Sequence, residues 1–253
     1  MLKVQPAGAY EVLASFYDQL MSHVDYPMWA DFVRGVWDLH ARVPLDSAYD
    51  AACGTGRFLD ALHEKGLRLA GSDLSENMLE AARRRLGRRA QLSRRDLREL
   101  TDPARWRLVT CLYDSLNYLT GPGELVRALG RLAALSAPGG LVVFDICTER
   151  NSLAYFNDRT EREQNGEWVW ERHSWYERTA RLHHNDFLLD HLPSRRRWAE
   201  SHLQRIYRVT EVEEAARQAG LHVLARYAEF SLRPGGEDAD RVHFVTRPLG
   251  TPC

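Results

Sequence analysis

The hydrophobic positions of this chain change period along its length, and the changes divide it into three parts. In the first forty residues Tyr10, Leu13, Tyr17, Leu20 and Val24 recur at helical spacing, and after Pro27 a second run carries Trp29, Phe32, Val33, Val36 and Trp37. Two N-terminal helices are predicted. From about Asp46, short apolar runs at 47–52, 67–73, 90–93, 108–113 and 141–147 alternate with helical patterns at 57–65, 76–86 and 124–135. Strand and helix in alternation predict an α/β fold with a doubly wound, mostly parallel sheet and right-handed crossovers. After Thr148 apolar and polar residues alternate over 181–189 and 197–207, the period of antiparallel strands. Thr210, with Glu213 three residues on, is expected to cap a helix that Gly220 ends. Strands at 221–232 and 241–247, separated by a turn at Pro234, Gly235 and Gly236, would complete a seven-stranded sheet. The expected organisation is N-terminal helices and the first part of the core over 1–148, an inserted antiparallel β lid over 149–208, and completion of the core over 209–253.

Composition narrows the function classes. The 253 residues are 44% hydrophobic and 27% charged with a net charge of −1, so no global field draws the chain to nucleic acid or anionic membrane. Its longest apolar runs are far shorter than the ~20 residues that span a bilayer. Glu11 and Asp18 interrupt the N-terminal apolar segment, which argues against a secretory signal and for a soluble, cytoplasmic protein. Cys53, Cys111, Cys147 and Cys253 are far apart and have no metal-ligand spacing, so they read as reduced thiols and no metal is expected.

The sharpest local signal is Asp50-Ala51-Ala52-Cys53-Gly54-Thr55-Gly56, where the first core strand meets its helix. Glycines at such a turn let a ligand approach the backbone, although a tight turn also needs them for conformational reasons alone. A dinucleotide fingerprint would carry a third glycine where this chain has Leu59, which counts against a nicotinamide-dependent oxidoreductase. An acid at the strand tip, Asp50, would repel a diphosphate but suits a ligand bearing an ammonium and a sulfonium, as S-adenosylmethionine does. Asp73, seventeen residues past Gly56, stands at the tip of the next strand, where it either accepts ribose hydroxyls or caps the helix behind it. Asp96 follows the third strand and either takes an adenine amino group or serves as a turn residue.

These segments, with Gly71-Ser72-Asp73-Leu74-Ser75-Glu76-Asn77-Met78-Leu79 and Pro138-Gly139-Gly140, resemble class I S-adenosylmethionine-dependent methyltransferases. The Ala-Cys-Gly-Thr-Gly form is similar to the glycine/sarcosine and amino-sugar N-methyltransferase group, in which alanine also replaces a first glycine. The stretches 111–119 and 200–207 resemble a set of bacterial methyltransferases of unassigned substrate. The resemblance implies a Rossmann-like core that holds S-adenosylmethionine with Asp50, Ala52, Cys53, Gly54, Gly56, Asp73, Leu74, Met78, Asp96, Leu97 and Leu112. It also implies that Tyr10, Tyr17 and Trp29 fold over the cofactor and that a small antiparallel sheet lies above the acceptor.

Methyl transfer from a sulfonium is an in-line displacement at roughly 3 Å in a water-poor pocket, so positioning does much of the work. Tyr113 and Asp114 end the fourth strand, where acceptor and methyl would meet; Asp114 either orients an amine or hydroxyl or starts a helix. His202 is a possible base, against the commoner fate of a strand histidine as a packed residue. Trp168, Trp170 and Trp175 read as the core of the inserted sheet more readily than as an aromatic wall. Arg83, Arg84, Arg85, Arg88, Arg89, Arg94, Arg95 and Arg98 fall within sixteen residues. They offer RNA as an alternative acceptor, although arginines on an outer helix usually form a solvated, ion-paired surface. The expected partner is a small-molecule acceptor at an N or O atom.

Overall fold

The computed structural model describes residues 3–250; Cys253 lies outside the described residues. The chain opens with β1 (Val4–Ala7), a short 3-10 turn at Leu13–Ser15, α1 (Tyr17–Leu20) and α2 (Tyr26–His40). The core then runs β2 (Ser47–Ala51), α3 (Arg57–Leu62), β3 (Arg68–Asp73), α4 (Glu76–Leu86), β4 (Ala90–Arg94), β5 (Trp106–Cys111), α5 (Glu124–Leu135) and β6 (Ser136–Cys147). After α6 (Glu149–Tyr155) come β7 (Arg159–Asn165), β8 (Trp168–Glu177), β9 (Leu182–His191) and β10 (Arg196–Arg205). The chain closes with α7 (Val209–Gln218), β11 (Leu221–Ala228) and β12 (Arg241–Pro248).

Seven strands form the central sheet in the order β11-β12-β6-β5-β2-β3-β4. The five from β2 to β6 are parallel, and β12 enters antiparallel between β6 and β11. Alternate residues of each strand feed two cores, as a sheet buried on both faces requires. Val109, Val142, Phe144 and Phe244 pack under α5 and α7. Leu69, Leu108, Leu141 and Val143 pack under α2, α3 and α4. The parallel strands therefore all end on one edge, where α/β sheets bind ligands.

The second sheet has the order β1-β10-β9-β8-β7, antiparallel except that β1 runs parallel to β10. Its inner face packs Trp170, Phe187 and Leu189 against Leu13 and Phe16. Trp168 and Trp170 thus belong to a core, whereas Trp175 stacks flat on His184 at 4.5 Å on the other face.

Three local expectations are corrected. The first predicted helix is broken: β1 was not foreseen, Tyr10 takes a left-handed backbone (φ 59°), and only two short turns remain before Met21. The physical cause is Glu200, whose carboxylate accepts the backbone N–H groups of Tyr10, Val12 and Leu13 and so competes with helical pairing. Thr210 does not cap α7, because the helix already starts at Val209; Glu211 accepts from the Arg208 amide at 2.8 Å and Glu237 from Val209 at 2.6 Å. The strand expected to run to 232 ends at Ala228, where Glu229 turns with φ 49°.

Candidate active site

At the tip of β2 the chain passes through Ala52 (φ 59°), Gly54 (φ 54°) and Gly56 (φ 78°) before entering α3. The two glycines do different work. Open space lies where a Gly54 side chain would project, and Gly54 lines the cavity described below. A Cβ on Gly56 would lie 2.8 Å from Leu86 Cδ1 and 3.2 Å from Ala82 Cβ, so this glycine lets α3 and α4 approach. The loop is pinned by Asp73 at the tip of β3: its Oδ2 accepts the Gly54 amide at 2.8 Å and its Oδ1 accepts the Ser75 amide at 2.9 Å. Each oxygen keeps a further lone pair.

Beneath the loop Asp50 is 3% exposed and accepts a hydrogen bond from Thr110 Oγ1 at 2.7 Å. Burial pushes its carboxyl up to about 7, the Thr110 bond opposes this, and neighbouring Asp73 and Asp145 add to it. Burial likewise raises Asp73 against the pull of its backbone donors. Two acids sharing a desolvated strand-tip region create a place where a bound cation is favoured.

A cavity of about 550 Å³ opens at this edge. Its wall brings together Tyr10, Tyr17, Trp29, Asp50, Ala52, Cys53, Gly54, Asp73, Leu74, Met78, Asp96, Leu97 and Leu112 of the expected cofactor residues, together with Tyr113. Leu74 is 56% exposed at this wall, an apolar surface that a planar ligand would cover. Asp96 lines it while bound to Arg98, which holds its carboxyl below the usual range.

Three expected site residues lie elsewhere. Gly56 sits behind the wall in the helix contact just described. Asp114, at φ 51°, neither faces the cavity nor starts a capped helix; Arg241 binds it at 2.7 Å and Gln204 Nε2 donates to it at 2.6 Å. His202 is 3% exposed, between Glu200 and Tyr118. Behind Tyr113, Arg241 also pairs with Asp145, whose carboxyl burial lifts to about 6 although the arginine opposes it. Next to it His243 is fully buried among Trp29, Phe32 and Phe230, and burial pushes it down to about 3.

Residues 48–140 match the family model described as a methyltransferase domain. Over nearly the whole chain the protein is similar to YqeM of Bacillus subtilis (strain 168), provisionally named a methyltransferase, with 28% identity over 96% of this chain and 98% of that one. These likenesses support a class I S-adenosylmethionine-dependent methyltransferase. Over a shorter stretch the chain is similar to a Streptomyces fradiae methyltransferase named as a dTDP-3-amino-3,6-dideoxy-alpha-D-glucopyranose N,N-dimethyltransferase, at 40% identity over 46% of this chain and 47% of that one. A solved S-adenosylmethionine-dependent methyltransferase from Clostridium acetobutylicum ATCC 824 shares the fold, with a TM-score of 0.83, 23% identity and coverage of 96% and 100% of the two chains.

Several wall residues of the cavity were not singled out from sequence: Tyr26, Arg57, Asn77, Ser115 and Tyr118. Tyr118 lay inside a quoted motif, but nothing in its spacing separated it from Tyr113. Arg57 had a readable signal as the first residue of the helix after the loop; its guanidinium lies over the Tyr26 ring at 4.5 Å. Among the described residues no helix is long and apolar enough to cross a membrane, and no group of three or more His, Cys, Asp and Glu could hold a metal.

Proposed function

We propose that this chain transfers a methyl group from S-adenosylmethionine to an N or O atom of a small molecule, under the inserted segment 149–208 acting as a lid. The observation that carries the reading is the pairing of a buried acid, Asp50, with the loop-pinning acid Asp73 on one cavity wall, beneath the apolar Leu74 and Leu97. An ammonium and sulfonium fit the first acid, ribose hydroxyls the second, and a purine the apolar side. The cavity volume falls within the range of small-molecule sites. Once bound, S-adenosylmethionine supplies an electrophilic methyl on a good leaving group. The protein's part is to hold the acceptor opposite that methyl and exclude water, for which Tyr17, Trp29 and Tyr113 are placed.

The arginine run favours a small acceptor over RNA. Arg83 pairs with Glu76, Arg85 with Asp18, Arg89 with Asp60, and Arg98 with Asp96 and Glu124, so much of its charge is already matched. The substrate named for the Streptomyces fradiae relative is an amino sugar nucleotide, which supports the same class. Buried free thiols at Cys53, Cys111 and Cys147 fit a reducing, cytoplasmic setting. The test is transfer of labelled methyl from S-adenosylmethionine into a cell extract, with and without ribonuclease. Label in the low-molecular-weight fraction, unaffected by ribonuclease, is expected. Label confined to ribonuclease-sensitive material would refute the reading.

A further inference from the structure

Tyr10 and Tyr118 both line the cavity, and their hydroxyls lie 2.6 Å apart. Behind them the Tyr118 hydroxyl is 3.0 Å from Nδ1 of His202, and His202 Nε2 is 3.3 Å from Glu200 Oε2. Glu200 is 1% exposed and is also the acceptor for the Tyr10, Val12 and Leu13 amides. A carboxylate only accepts hydrogen bonds, and with a neutral imidazole at His202 this sets the direction of the whole chain. Nε2 of His202 donates to Glu200, which leaves Nδ1 to accept from Tyr118, whose oxygen then accepts from Tyr10. The series ends in the cavity at the Tyr10 oxygen, with lone pairs and no spare hydrogen.

Resting on the methyltransferase reading above, we infer that Tyr10, Tyr118, His202 and Glu200 form the outlet for a proton of the methyl acceptor, and that this acceptor is an amine. The rings of Tyr10, Tyr17, Tyr113 and Tyr118 suit an ammonium group. The arginines of the wall are held elsewhere: Arg57 donates to the Asp18 and Met21 carbonyls, while Arg94 ends β4 and Arg95 and Arg98 follow it on the Asp96 side. In the step, the bond from sulfur to the methyl carbon breaks with its electron pair going to sulfur, and a carbon–nitrogen bond forms. The nitrogen's proton passes to the Tyr10 oxygen as Tyr10 gives its own to Tyr118 and Tyr118 gives its own to Nδ1. The resulting imidazolium faces Glu200, and after product leaves the proton returns by the same route to solvent. Tyr10 touches the acceptor; His202 and Glu200 are positioning residues that act through the phenols.

Two ligands separate this inference from the reading beneath it. Sinefungin carries an amine in place of the sulfonium methyl, and S-adenosylhomocysteine carries neither. With the full chain in calorimetry, Tyr10→Phe and Tyr118→Phe should each weaken sinefungin about tenfold and S-adenosylhomocysteine less than about twofold, the loss of one hydrogen bond to a charged group. Nitrogen NMR of the histidine-labelled wild-type chain should show His202 protonated at Nε2 with Nδ1 accepting, and Tyr118→Phe should shift Nδ1. Sinefungin affinity that does not change, equal losses for both ligands, or a proton on Nδ1 of the free chain would overturn the inference. Failure of the wild-type chain to bind S-adenosylhomocysteine would instead remove the cofactor reading and the inference with it.

Discussion

Ala52 carries a left-handed backbone at the tip of β2, and so do Tyr10 and Tyr113 around the same cavity. Such conformations are costly for residues with a Cβ and concentrate where a site over-determines them. Replacing Ala52 by glycine relieves about 1 kcal/mol of strain while adding a similar unfolded-state entropy. Ala52→Gly should therefore keep its melting temperature and cofactor affinity, whereas Ala52→Val should be strongly destabilised in a denaturant titration. Asp50 makes a pH prediction. Its folded value of about 7 lies above that of an unfolded aspartate, so the folded chain holds this proton more tightly and loses stability as pH rises from about 4 to 7. Asp50→Asn should accordingly melt higher than wild type at pH 8 and close to it at pH 4. In wild type, S-adenosylmethionine affinity should rise between pH 6 and 7.5 as the carboxylate forms, and in the variant it should stay flat. Asp73→Ala should weaken the cofactor by more than about 1 kcal/mol, since it removes both a charged acceptor and the pin on Gly54; unchanged calorimetric affinity would rule out the ribose role.

At the scale of elements, periodicity located α4 and α5 to the residue, because each carries an uninterrupted apolar stripe. It misread the N-terminus for a reason that lies 190 residues away in sequence: the Tyr10 amide is bound by Glu200, and β1 adds to the far edge of the inserted sheet. Local pattern carries no information about such a partner. The inserted sheet has its own small core, and Leu189 is fully buried in it. Leu189→Ala should cost roughly 2–5 kcal/mol of that sheet's stability. Hydrogen exchange should show protection lost across β7 to β10 while β2, β5 and β6 stay protected. A uniform loss over both sheets would mean that they unfold as one unit.

For the whole molecule, the alternation of strands and helices made the central sheet legible, and the chemistry of its strand tips followed from acids at Asp50 and Asp73. The acceptor side was far less legible, because its groups come from three distant segments. Tyr10, Tyr118, His202 and Glu200 meet only through tertiary packing, while Asp114, which looked available in sequence, is consumed by Arg241 and Gln204. The same edge that brings these groups together decides the ligand, and the choice lies between a sulfonium nucleoside and a dinucleotide. It is tested most directly by calorimetric titration of the purified chain with S-adenosylmethionine and, separately, with NADH. Saturable, one-site binding of S-adenosylmethionine that Asp73→Ala weakens is expected, with no heat from NADH. Saturable binding of NADH with none of S-adenosylmethionine would contradict it.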